Sequence, residues 1–157
     1  ASAQILATAG VRLELEAPAG LLVHSRPMKR LLTRLLIAPR IHIRQTRAGE
    51  LVAGADFGGS PIDDGPELVA ENLMQTIRSM VAGAEAAELH HYTVGYRPTP
   101  KDGFPIVGRP PGLQGLYIAV MHSGITNAPA VGAFGAEEIM TGERNHLLNP
   151  FGPERLS

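Results

Sequence analysis

The stretch that most constrains this chain runs from Leu116 to Gly142. Leu116-Tyr117-Ile118-Ala119-Val120-Met121 is an unbroken apolar run of strand length, the pattern of a strand covered on both faces. His122-Ser123-Gly124 interrupts it, and the spacing from Thr126 to Met140 predicts a helix. Thr126 or Asn127 would cap that helix, Pro129 would sit in its first turn, and Gly142 stands just past its end. Small residues fill it: Ala128, Ala130, Gly132, Ala133, Gly135 and Ala136. An internal Gly costs about 1 kcal/mol relative to Ala, so two of them imply that a strand, a helix or a flat ligand comes close. The turn has chemical potential as well, because the free N–H groups at a helix start carry the positive end of the macrodipole. Core packing accounts for most such units, and the feature alone fixes no function.

The rest of the chain narrows the classes. Its 157 residues suffice for one domain with a real core. A net charge of −1 gives no general drive toward nucleic acid or membrane. Cysteine is absent, which excludes disulfides and thiolate metal or redox chemistry. No apolar run reaches membrane-spanning length and no signal-like segment opens the sequence, so the expected compartment is the cytosol.

Residues 1–11 read as a short helix closing at Gly10. Gly20 to Ser25 predicts a strand, and Arg40 to Thr46 another, with Ile41 and Ile43 on one face and Arg40, His42 and Arg44 on the other. Arg47-Ala48-Gly49-Glu50 is a hairpin turn, returning through the strand Leu51 to Ala55. Seven basic residues and no acidic one lie between Glu16 and Glu50, namely Arg26, Lys29, Arg30, Arg34, Arg40, Arg44 and Arg47. A solvated face explains them most simply. The aromatic partners for base stacking are missing, so nucleic acid is not the expected ligand, whereas a carboxylate substrate or a partner domain is a functional alternative. Residues 57–65 form a loop, Asp64 would cap a helix with Glu67 as its capping-box partner, and Val69, Leu73, Ile77, Met80 and Val81 would make the apolar face. Asp63 and Asp64 read as loop and cap rather than as paired acids. Gly83 ends that helix, and a strand follows from Leu89 to Tyr96. His90 and His91 should point to opposite sheet faces, which argues against a metal pair. The tail from Asn149 to Arg155 is expected along the surface, pinned by Phe151.

Two signatures then combine. Gly95-Tyr96-Arg97-Pro98-Thr99-Pro100-Lys101-Asp102-Gly103-Phe104-Pro105-Ile106-Val107-Gly108 precedes Leu116-Tyr117-Ile118-Ala119 and His122-Ser123-Gly124-Ile125-Thr126-Asn127-Ala128-Pro129-Ala130-Val131-Gly132. In order, spacing and identity, these residues resemble the C-terminal signature of the FAD-dependent D-amino-acid oxidase superfamily, the glycine and sarcosine oxidase and D-amino-acid dehydrogenase group. Met121 departs from it, where many members carry Gly. No Gly-x-Gly-x-x-Gly occurs, so the dinucleotide-cradling half is absent from this sequence.

The resemblance implies an α+β fold, a mixed and mainly antiparallel sheet backed by helices, with a C-terminal strand–turn–helix belonging to the FAD domain. Its expected parts are a remnant helix at 1–11, a substrate-binding domain at 12–108 and a flavin-contacting segment at 109–157. It implies oxidation of the C–N bond of an amino acid or related amine by hydride transfer to FAD, with no catalytic side chain and no metal needed. Arg97 would clamp the substrate carboxylate, a role that the planar guanidinium fork suits, the alternative being a structural ion pair. His42 and Phe57 would line the pocket. His122, Ser123, Gly124, Ile125, Thr126 and Asn127 would meet the flavin. The segment is expected to be inactive by itself and to need the FAD-binding domain, on the same longer chain or on a partner subunit, and exposed apolar surface makes a homodimer possible. Two other readings stay open: a non-catalytic carboxylate-binding module, and one subunit of a hetero-oligomeric dehydrogenase.

Overall fold

The computed structural model describes residues 2–55, 62 and 65–156. In chain order the elements are α1 (Ser2–Thr8), β1 (Leu15–Glu16), β2 (Ala19–Ser25), β3 (Leu36–Ala38), β4 (Ile41–Gln45), β5 (Leu51–Gly54), α2 (Pro66–Met80), β6 (Leu89–Tyr96), β7 (Thr99–Pro100), β8 (Ile106–Gly108), β9 (Ile118–Val120) and α3 (Gly124–Thr141). Two 3-10 turns follow, His146–Phe151 and Pro153–Leu156. The chain divides into two compact units, Pro18–Tyr96 and the combination of Ala1–Ala17 with Arg97–Ser157.

The first of these is a five-stranded sheet in the order β3-β4-β5-β2-β6 with α2 against one face. Every strand pairing among the described residues is antiparallel. The period-2 pattern in β4 works as expected, with Ile41 and Ile43 buried while His42 and Arg44 turn away. Gly49, at φ +92°, closes the hairpin to β5. Leu21, Val23, Ile41, Ile43, Leu51 and Ala53 meet Ala70, Leu73, Met74 and Ile77 of α2 in a continuous core.

Two details of α2 correct the expectation. Its buried stripe is Ala70, Leu73, Met74 and Ile77, continued by Val81, while Met80 is exposed. Positions 70, 73, 74, 77 and 81 share one helical face, and 80 falls outside it. The N-cap is Gly65, at φ +94°, because the helix begins only at Pro66. Glu67 accepts the Tyr92 hydroxyl at 2.6 Å instead of completing a capping box. Asp63 and Asp64 lie outside the described residues.

In the second unit, Leu6 of α1 joins Leu13, Ile106, Ile118 and Val120 in a smaller core. β8 and β9 pair with Ile106 opposite Val120 and Gly108 opposite Ile118, and β1 pairs with β7. The strand expected over Leu116 to Met121 is shorter. Ala119 is exposed between buried Ile118 and Val120, so the described residues cover one face of it, not two. Tyr117 leaves the ladder and directs its hydroxyl to Glu138 at 2.8 Å. The helix start also differs: Ser123 occupies the cap position in left-handed conformation (φ +59°), with no side-chain cap bond, and Thr126 and Asn127 are already helical. One left-handed residue reverses the chain quickly, so α3 begins at Gly124 and Pro129 falls in its second turn.

Candidate functional site

The two signature segments meet. Pro98, directly after Arg97, lines a groove of about 370 Å³ together with Ala119, Val120 and Met121 of the strand end and Gly124, Ala128, Val131 and Gly132 of α3. A Cβ added at Gly124 or Gly132 would find no atom within 4 Å, so both glycines leave open space at the helix surface. Gly135 is different: a Cβ there would lie 3.3 Å from the Tyr117 ring. The small-sided helix therefore serves two ends, a groove at its start and a close ring contact toward its finish.

Arg97 begins the loop that enters the groove. The residue is half-buried, its Nη1 is buried without a hydrogen-bond partner, and it forms no ion pair among the described residues. The strand-to-loop ion pair that could have explained it is thus missing there. An unpaired guanidinium nitrogen inside a protein is costly unless an acceptor arrives. Pro98 and Pro100 fix two of the next three φ angles. Pro100 is fully buried, and the Gly103 N–H closes a turn on its carbonyl at 2.7 Å.

At the helix start, the Ser123 hydroxyl shares a hydrogen bond of 2.6 Å with His122 Nδ1, which is why it does not cap α3. The first-turn N–H groups of Gly124, Ile125 and Thr126 have no preceding helical carbonyl to bond. Asn127 N–H bonds Ser123 O at 3.1 Å. Ile125 is 96% exposed.

His42 belongs to the sheet unit and sits on the face opposite α2, across from Gly54 in the ladder. A Cβ at Gly54 would come within 2.8 Å of the His42 ring, so the glycine makes the seat for the imidazole. Phe57 lies outside the described residues.

Sequence reasoning missed three polar groupings. Glu138 is 6% exposed although α3 is otherwise open, and it receives both Tyr117 Oη and a two-point contact from Arg144 Nη1 at 2.9 and 3.1 Å. Burial and the Glu138 hydrogen bond push the Tyr117 hydroxyl up to about 12. Arg144 Nη2 donates to Val107 O and Leu148 O, and a Cβ added at Gly108, whose φ is +139°, would meet Arg144 Nη1 at 2.6 Å. The readable signal was spacing: Gly135 and Glu138, three apart, are the only buried residues described on the helix. The second grouping joins Asp102 to Arg155, and the neighbouring Lys101 pairs with Glu14 at 3.2 Å. The third corrects the histidines. A register shift between His24 and Ser25 makes a bulge opposite His90, so the alternation fails. His90 and His91 approach to 3.2 Å between Nδ1 atoms, and His91 stacks on His24 with centroids 4.3 Å apart.

The model of the FAD dependent oxidoreductase family matches residues 2–138. Glycine oxidase of Bacillus licheniformis is 34% identical over 112 residues, covering 69% of this chain and 30% of that protein. The crystal structure of glycine oxidase from Geobacillus kaustophilus superposes with a TM-score of 0.75 at 26% identity, over 96% of this chain and 42% of that one. Iminodiacetate oxidase from Chelativorans sp. gives a TM-score of 0.72 at 25% identity, over 97% and 44%. The chain spans about a third of the length of the curated relatives it matches, at 30% and 32% for the two Bacillus enzymes.

Proposed function

Because this chain belongs to the family of FAD-dependent oxidoreductases, we propose that the protein carrying it oxidises the C–N bond of an amino acid or related amine, and that this chain supplies the substrate-side elements. The observation that carries the reading is the buried, unpartnered Arg97 Nη1 at the entrance of a stiff loop. A guanidinium so held recognises a carboxylate in two points, fixing orientation as well as affinity. Similarity to proteins named for glycine and iminodiacetate oxidation agrees with a small carboxylate-bearing amine.

The residues present fit the family's cofactor. The groove beside Gly124, Ala128 and Gly132 is open and largely apolar, and the α3 start offers N–H groups to a negatively charged edge. Residues 122–127 would hold that edge of FAD, and bound FAD would supply the oxidant for the C–N bond. Arg97 binds and aims the substrate carboxylate. The dinucleotide-cradling part is supplied from outside this chain, and without it the segment does not turn over.

The test is Arg97→Ala in the flavin-loaded protein that contains this chain. We expect the drop in kcat/KM for a carboxylate-bearing amine to correspond to about 2–5 kcal/mol of lost transition-state stabilisation, the usual effect of deleting one partner of a desolvated charge pair. An amine lacking the carboxylate should be nearly indifferent to the change. Purified protein with no flavin spectrum, or equal losses for both amines, would sink the reading.

A further inference from the structure

The loop that begins at Arg97 is clamped farther along by the 3-10 turn Pro153–Leu156, and we infer that Asp102 and Arg155 are positioning residues that aim Arg97 at a ligand carboxylate. The inference rests on the carboxylate reading above and adds to it the device that sets the guanidinium. Arg155 Nε donates to Asp102 Oδ2 at 2.7 Å and Nη2 to Oδ1 at 3.3 Å. The same Nη2 donates to Phe104 O at 2.9 Å, Nη1 to Gly152 O at 3.3 Å, and Phe104 N–H to Asp102 Oδ1 at 3.0 Å. One guanidinium thus joins the side chain and the backbone of the loop to the turn. The Arg155 side chain is 21% exposed while Asp102 is 48% exposed, so the clamp is held from the arginine side. Arg155 also holds the Asp102 carboxyl below its ordinary range, chiefly through their hydrogen bond.

The other edge of the loop is fixed independently. Leu15 pairs with Pro100, Lys101 N–H reaches Glu14 O at 3.3 Å, and Lys101 Nζ meets Glu14 Oε2 at 3.2 Å. Pro98, and buried Pro100 at the anchor itself, leave the connection to Arg97 little torsional freedom. The Arg155 clamp at Asp102 and the β1 anchors at Pro100 and Lys101 act together on the backbone from which Arg97 projects, so loosening the clamp removes one of its two restraints. Arg97 has no ion pair among the described residues to orient its guanidinium, so its aim is inherited from this backbone.

The experiment uses the full 157-residue chain, labelled with ¹⁵N-arginine, with Arg97 assigned by the signal lost in Arg97→Lys. Sodium acetate is titrated against sodium chloride at constant ionic strength, and the Arg97 Nε–H resonance is followed. Saturable movement is expected for the natural sequence. Arg155→Met and Asp102→Asn should each raise the acetate midpoint by about tenfold, equivalent to about 1.4 kcal/mol. Arg155→Lys should not rescue it, since an ammonium cannot reproduce the fork. Unchanged midpoints in Arg155→Met and Asp102→Asn would overturn the inference and leave the carboxylate reading standing. Absence of any acetate response at Arg97 in the natural sequence would overturn both. Should Arg155→Met not fold, the near-isosteric Asp102→Asn decides.

Discussion

The two units hold their helices by different means. In the sheet unit, α2 buries four residues against strands of the same unit, and its core is continuous and apolar. In the other, α3 is longer and more apolar in sequence, yet its described buried residues are a glycine and a glutamate. Ile125 at 96%, Met140 at 83% and Ile139 at 51% exposure show that these three side chains are left largely uncovered by the described residues. The first helix is fixed by area removed from water, the second by a buried carboxylate gripped by Arg144 and Tyr117. Hydrophobicity in a sequence therefore says how much a helix could bury, and polar contacts show what holds it where it is.

That contrast breaks most sharply in the sheet core. Ile77→Ala should destabilise the chain by about 4 kcal/mol, within the range for emptying a fully buried Ile site. The measurement is the urea midpoint of the folded chain, and a change under about 1 kcal/mol would mean that α2 is not packed as described. On the α3 side the matching change is Glu138→Gln. Removing one partner of a largely buried pair leaves Arg144 uncompensated, at a loss of about 3 kcal/mol. A second reading comes from replacing both partners, with Glu138→Leu and Arg144→Met together. If the pair positions α3 more than it stabilises it, the double variant recovers most of the lost stability while the helix contacts to Tyr117 change.

The same contrast explains what could be read in advance. Sheet strands, the hairpin at Gly49 and the helix behind them were legible because alternation, turn chemistry and helical spacing are local signals. The site signatures were legible as a run of residues, and the structure brings Pro98 and Gly124 to one groove. Positive φ at Ser123 was not, since left-handed backbone at a non-Gly residue leaves no mark in a sequence. Nor were the partners of Glu138 or Asp102, which lie 21, 6 and 53 positions away from Tyr117, Arg144 and Arg155. The histidine cluster was misread because a bulge cancels the period-2 rule.

That cluster gives a smaller, pH-dependent test of the sheet unit. His24 is held below its ordinary value of 6.5, first by burial and then by the neighbouring His91, with Arg44 and His90 acting the same way and Glu50 opposing. A histidine whose folded value is depressed contributes stability above the unfolded value and loses it as pH falls through the folded one. Denaturation midpoints should therefore drop between pH 7 and pH 5, and His24→Gln should flatten that drop. Equal slopes in the two proteins would place the proton uptake elsewhere.

The smallest effect belongs to the exposed end of α3. Ile125 touches almost nothing in this chain, so Ile125→Ser removes no buried area and should change the urea midpoint by less than about 0.5 kcal/mol. The prediction is sharp because Ile77 and Ile125 are the same side chain, both on helices, and differ only in what covers them. If Ile125→Ser destabilised the chain by as much as about 2 kcal/mol, the value of a buried aliphatic side chain, then something would cover α3 in solution. Sedimentation of the two proteins side by side then discriminates: a second copy of the chain as the cover would shift the natural protein to a dimer and leave the serine variant monomeric. A small effect with a monomer in both cases keeps α3 as a helix whose apolar face serves a surface other than its own core.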